Sequence, residues 1–185
     1  MRAMLSLERR SGKNILRGMS VPPRRIQPGP GQESVWDYPR PPRVETCRRH
    51  IKVEFNGLVV AETTRAKRVL ETSQPPAYYI PPEDVRLREH FQPTGHTTVC
   101  EWKGVAHYYT ITVDGRTAAN AAWYYPEPAP GFEAIKDHVA VYPGRVEACY
   151  VDGEKAEPQE GDFYGGWITK DVVGPFKGGP GTQGW

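Results

Sequence analysis

His50-Ile51-Lys52-Val53-Glu54-Phe55-Asn56-Gly57-Leu58-Val59-Val60-Ala61 is the stretch that decides the fold class. Its first half alternates, with Ile51, Val53 and Phe55 on one side and Lys52 and Glu54 on the other. A period of two belongs to a strand with one buried face. Asn56-Gly57 follows at once, and both residue types tolerate the positive φ that a two-residue hairpin turn requires. Leu58 to Ala61 then reads as the returning strand.

The same grammar repeats outward. Ala66 to Glu71 and Ala77 to Ile80 read as strands, and Pro81 to Leu87 as one or two helical turns with acids at the start. Strands resume at Thr97 to Trp102 and at Val105 to Val113, where Asp114-Gly115 turns the chain and Arg116 to Ala122 pairs back. Pro126, Pro128 and Pro130 interrupt the sheet, and Phe132 to Lys136 reads as a helical turn. His138 to Tyr142 and Val146 to Val151 are two more strands, joined through Pro143-Gly144. The expected fold is mainly β: a small curved antiparallel sheet or barrel-like domain with one or two short helical turns. It spans residues 49–157, between extended segments at 1–48 and 158–185.

Composition agrees. Among 185 residues there are 19 glycines and 19 prolines, roughly a fifth of the chain against an average of about 12%. Such a chain makes strands and turns rather than a helical bundle. No apolar run approaches the roughly 20 residues of a membrane-spanning helix. No apolar h-region of a secretory signal follows the N-terminus. Cys47, Cys100 and Cys149 are far apart and form no CxxC, which disfavours both a zinc site and a disulfide framework and points to the cytoplasm.

Charge is uneven. Residues 1–50 hold most of the excess of Lys and Arg, together with Pro22-Pro23, Pro28-Gly29-Pro30-Gly31 and Pro39-Arg40-Pro41-Pro42. This segment reads as a basic, extended arm without core burial up to about Pro42. Leu5, Leu7, Ile15 and Leu16 suit a short helix within it, and its Arg-rich first twenty residues also fit a targeting segment. With only Trp36 and Tyr38 as aromatics, a solvated leader is favoured over a nucleic-acid contact. The tail from Pro158 carries Phe163, Tyr164, Trp167, Ile168, Phe176 and Trp185. It is too aromatic for a neutral linker, so it packs along the core or joins a second copy in a homo-oligomer.

The candidate site centres on His96, Cys100 and Lys103, with Tyr108 five residues on. Along a strand His96, Thr98, Cys100 and Trp102 share a face, and Lys103 joins them only if Lys103-Gly104 bends the chain. A cysteine beside a cation is a potential nucleophile; the bland alternative is a small apolar core residue. Cys100, Lys103 and Tyr108 are the catalytic candidates. Lys103, Tyr108, Trp123, Tyr125 and His96 are the ligand-binding ones. Trp123-Tyr124-Tyr125-Pro126 reads equally well as a stacking platform for a planar ligand or as a plug at one end of the sheet. On Val105 to Val113, the apolar count turns His107, Tyr109, Ile111 and Val113 toward the core and leaves Tyr108 on the concave or solvent side. The histidines show no HxH or HExxH spacing, so no metal site is expected, and no pattern names a cofactor.

A set of ordered anchors carries a family resemblance. They are Val69-Leu70-Glu71-Thr72, Pro76, Tyr79, Pro81, Asp84-Val85, Thr98, Cys100, Lys103-Gly104, Ala106, Tyr108, Ala121, Trp123, Tyr125-Pro126, Pro128, His138-Val139-Ala140 and Tyr142. From about His50 to Val151 the chain resembles the domain of unknown function 427 family, which carries a nucleotidyltransferase-like label. The resemblance implies a small, mostly β fold and supplies no catalytic set. Cys100-Glu101-Trp102-Lys103 departs from the family's Cys-Pro-Tyr-Lys pattern. Nucleotidyl transfer is disfavoured, because the chain has no Gly-Ser followed by Asp-x-Asp to hold a metal. Two readings stand: a domain binding a small planar or anionic ligand, enzymatic or not, and an interaction module that wraps a partner with its arm and tail.

Overall fold

The computed structural model describes residues 24–185. The short helix and the targeting segment expected in the first twenty residues lie outside the described residues. In chain order the strands are β1 Glu33–Ser34, β2 Arg43–Thr46, β3 Ile51–Phe55, β4 Leu58–Thr63, β5 Lys67–Leu70, β6 Ala77–Ile80, β7 Phe91–Cys100, β8 Gly104–Val113, β9 Arg116–Tyr124, β10 Val139–Val141, β11 Ala148–Val151, β12 Glu154–Lys155, β13 Glu157–Pro158, β14 Trp167–Ile168 and β15 Val172–Val173. Five single 3-10 turns complete the described residues, which hold no α-helix. None of these turns is long and apolar enough to cross a membrane.

The Asn56-Gly57 hairpin forms as its sequence dictates. Phe55 pairs with Leu58, and φ is 50° at Asn56 and 75° at Gly57. It belongs to a four-stranded sheet in the order β12-β11-β3-β4. The larger sheet has seven antiparallel strands in the order β2-β5-β6-β10-β9-β8-β7. Both sheets are open, so of the two forms expected, the antiparallel sheet is the one adopted and no barrel closes.

A first core fills the space between the sheets. Ile51, Val53, Phe55 and Val60 from the smaller one meet Tyr78, Ile80, Ile111, Val113 and Val141 from the larger. A second core covers the opposite face of the seven-stranded sheet with Val69, Tyr79, Tyr108, Trp123, Tyr125 and Ala140, capped by Phe132 and Ile135. Central strands therefore bury both faces, which explains why Ala77 to Ile80 and Val139 to Val141 are continuous apolar runs rather than alternating ones.

Several expectations need correction. β7 starts at Phe91, six residues before Thr97, and ends at Cys100. Its register shifts between Pro93 and Thr97, so the proline and glycine sit in a bulge of an edge strand instead of ending it. The helical turns are single and 3-10: Pro82–Asp84 and Arg88–His90 in place of a run from Pro81 to Leu87, and others at Val35–Asp37, Glu133–Ile135 and Pro143–Arg145. The expectation that residues up to Pro42 lack core burial fails from Glu33 onward. Val35 and Tyr38 are buried with Leu70 and Val172, and β1 pairs in parallel with β15 of the tail. The prolines stop this segment from joining a long ladder, but they leave room for a two-residue one.

Candidate functional site

The tip of the β7–β8 hairpin sets the site. Cys100 pairs with Gly104, leaving Glu101, Trp102 and Lys103 as the turn. Gly104 closes it at φ +97°, a left-handed value that a side chain resists. A Cβ there would also lie 3.4 Å from Ala129 N and Glu127 O, where the proline loop comes in to pair Ala129 N with Lys103 O at 3.0 Å. The bend takes Lys103 out of strand alternation and brings it to the cavity that Cys100 also lines.

Strand parity brings the rest. On β8 the odd residues Ile111 and Val113 enter the first core, as the sequence suggests, while Tyr108 and Ala106 face the second. Tyr108 is buried there and not at the solvent. Two extra residues on β9, with Asn120 at φ 49°, shift the register between the Tyr109–Ala122 and Ile111–Ala118 pairs, ahead of Trp123. The result is a cavity of about 350 Å³ on the outer face of the large sheet. Thr98, Cys100, Trp102, Lys103, Tyr108, Trp123 and Tyr125 line it with Tyr79 and Tyr142, and Phe163, Tyr164, Gly165, Gly166 and Lys177 form the remaining wall. His96 stays outside as an exposed ring 4.6 Å from that of Tyr108. His107 is half-buried against Tyr124, and His138 bonds the Lys136 carbonyl at the rim.

The phenols are tied into two groups. Trp123 Nε1 donates to the Tyr79 hydroxyl at 3.1 Å, and the Tyr125 ring lies 6.4 Å from that of Tyr79. On the other side Tyr142 donates to the Phe163 carbonyl at 3.1 Å. A carbonyl only accepts, so the Tyr142 proton goes to Phe163, and the Thr98 and Tyr108 hydroxyls share a hydrogen bond at 2.8 Å. Burial raises the Tyr79, Tyr125 and Tyr142 hydroxyls above the usual phenol value, so all three stay protonated at neutral pH.

Lys103 is half-exposed as a residue, but its ammonium end lies deep among protein atoms. Burial pulls its pKa down, yet it stays raised; with Tyr79 protonated at neutral pH, Glu71 is the anion nearby that favours the cationic form. Glu71 itself pairs with Arg40 at 3.6 Å. Among the described residues no carboxylate lies within salt-bridge distance of Lys103.

The cysteines differ in access. Cys47 and Cys149 are buried, and burial raises both thiols. Cys100 is half-exposed at the cavity wall. Iodoacetamide is expected to label Cys100 first in the native protein, followed by mass spectrometry of its peptides; equal labelling of all three would refute that access order.

Tyr79, Tyr142 and the tail residues were not among the sequence candidates. A strand reading of Ala77 to Ile80 gives Tyr79 a face, but nothing local says that this face is the cavity's. Among the described residues no group of three or more His, Cys, Asp or Glu is placed to hold a metal ion. One Asp-x-Glu spacing does occur, Asp152-Gly153-Glu154, and both carboxylates have partners: Asp152 takes Arg49 and His50 N, and Glu154 takes Lys170 N.

Residues 43–152 match a family described as a domain of unknown function, DUF427. The chain belongs to the DUF427 family. The match holds the cavity floor and the hairpin that carries Cys100 and Lys103, and it stops before the wall formed by Phe163 to Gly166 and Lys177. No curated protein matches the chain.

Proposed function

We propose that this protein binds a small molecule with a planar apolar part and an anionic or polar end, held between the aromatic walls and Lys103. One observation carries the reading: a cavity of about 350 Å³ in which Trp123, Tyr79, Tyr125 and Tyr142 meet a single buried-end lysine. That volume lies in the range of small-ligand pockets, which are mostly apolar with a few placed polar groups. Any turnover would run on Cys100 and Lys103, the reactive groups at the wall.

The rival reading, an interaction module, needs the arm and tail free for a partner. From Arg24 onward they are largely spent on each other. Trp36 Nε1 donates to the Pro175 carbonyl at 2.8 Å, and its ring meets that of Trp185 at 5.6 Å.

Native mass spectrometry with 2-naphthamide, a neutral planar probe, tests the proposal. A one-to-one adduct is expected for the wild type and none for Ala77→Phe, which fills the cavity from β6. No wild-type adduct, or an adduct unaffected by the filling, would sink the ligand-binding reading and leave the interaction module ahead.

A further inference from the structure

The hydrogen-bond arithmetic of the cavity narrows its ligand. On one wall the Tyr142 proton goes to the Phe163 carbonyl and one proton is shared between the Thr98 and Tyr108 hydroxyls. The opposite end keeps its protons. Lys103 has three N–H donors, and the Tyr79 and Tyr125 hydroxyls, the first of which accepts from Trp123 Nε1, each bring one O–H. Trp102, also at the wall, has a buried indole N–H with no partner. Lys103 and Trp102, neighbours on the hairpin turn, thus bring to the cavity donors that have no hydrogen-bond partner among the described residues.

Charge points the same way. Glu71 is shared with Arg40. Lys177, the other lysine at the wall, is held by the main-chain oxygen of Trp185 at 2.9 Å and lies over the Tyr164 ring. Glu101, the other carboxylate at the wall, is exposed, and among the described residues Lys103 is the wall cation with a buried end and no carboxylate within salt-bridge distance. A buried unpaired charge is costly, so its natural complement is a single anion brought by the ligand. A triphosphate would bring several negative charges to one lysine, with no carboxylate cluster among the described residues for the metal that usually shares them.

We infer that the ligand is a monoanionic aromatic carboxylic acid, its carboxylate against Lys103, Trp102 and the Tyr79–Tyr125 pair and its ring against Trp123 and Tyr142. This rests on the cavity's binding a planar molecule at all. The carboxylate's two oxygens accept from the ammonium, the phenol and the indole, the charge-assisted bonds being the strong ones.

Titration of the full chain with 2-naphthoate, its neutral isostere 2-naphthamide, and ATP separates the outcomes. 2-Naphthoate is expected to bind at least tenfold tighter than the amide. Lys103→Met is expected to erase that preference, lowering the affinity for 2-naphthoate at least tenfold and that for the amide by much less. Equal affinity for acid and amide in the wild type, a preference that survives Lys103→Met, or tighter binding of ATP would each overturn the carboxylate inference while the cavity still binds the amide. Failure of both naphthyl probes to bind the wild type would overturn the binding reading as well.

Discussion

Trp167→Ala is expected to lower the unfolding free energy by about 3–5 kcal/mol, the range for removing a large aromatic from a packed core. Trp167 lies in the tail, beyond the DUF427 match, yet its side chain is 0% exposed. Its indole N–H donates to the Val141 carbonyl at 3.0 Å and its ring lies 5.1 Å from that of Tyr78. Its main-chain N bonds the Pro76 carbonyl at 2.9 Å, so the backbone is fixed on β6 as well. Truncation leaves a cavity in the first core and an acceptor without its donor. Urea unfolding of Trp167→Ala beside Trp185→Ala is the measurement. Trp185 meets only the Trp36 edge among aromatic contacts and is half-exposed, so its loss should cost about 1 kcal/mol or less. Equal effects of the two changes would mean that the tail is laid on the domain rather than built into it.

That tail also marks where sequence reasoning stops. Alternation is a local signal, and it found β3, β4, β8 and β9, together with the odd face of β8 that enters the first core. The bend at Lys103-Gly104 was legible because glycine is the residue that tolerates φ +97°. It brought Cys100, Lys103, Tyr108, Trp123 and Tyr125 around one cavity and left His96 just outside. What alternation misses is a second layer. Tyr79 and Tyr78 look alike in sequence, and only the sheet's outer cover decides that one faces each core. The arm went astray for a related reason. Prolines forbid long pairing, but Val35 needs only a two-residue ladder beside it with a segment 139 residues downstream, Glu33 with Val172 and Ser34 with Val173. Contacts that distant leave no periodicity to read.

Gly165→Ala is expected to cost about 1–3 kcal/mol and to abolish binding of the naphthyl probes, because the added methyl overpacks the cavity wall. A Cβ at Gly165 would sit 2.3 Å from Trp123 Cη2 and 2.6 Å from Cζ3, closer than any real contact, and 3.1 Å from Tyr142 Cδ1. The indole cannot simply lean away. Its N–H is bonded to the Tyr79 hydroxyl, its ring lies 4.5 Å from that of Tyr142, and Tyr79 stands edge-on to it at 6.0 Å. The glycine cannot easily retreat either, since the next residue is bonded from N to Gln159 Oε1 and packed on Pro75. Either the Trp123 bond to Tyr79 breaks and the ring swings into the cavity, or the tail lifts and the wall opens. Both remove the slot that would grip a planar ligand. Gly95→Ala is the control: it lies on the β7 bulge, a Cβ there meets nothing within 4 Å, and its φ is not left-handed. Its unfolding midpoint and probe affinity should match the wild type. Unchanged naphthamide binding in Gly165→Ala would show that the tail is not a wall of the binding site, and the site would then reduce to the floor that the DUF427 match covers.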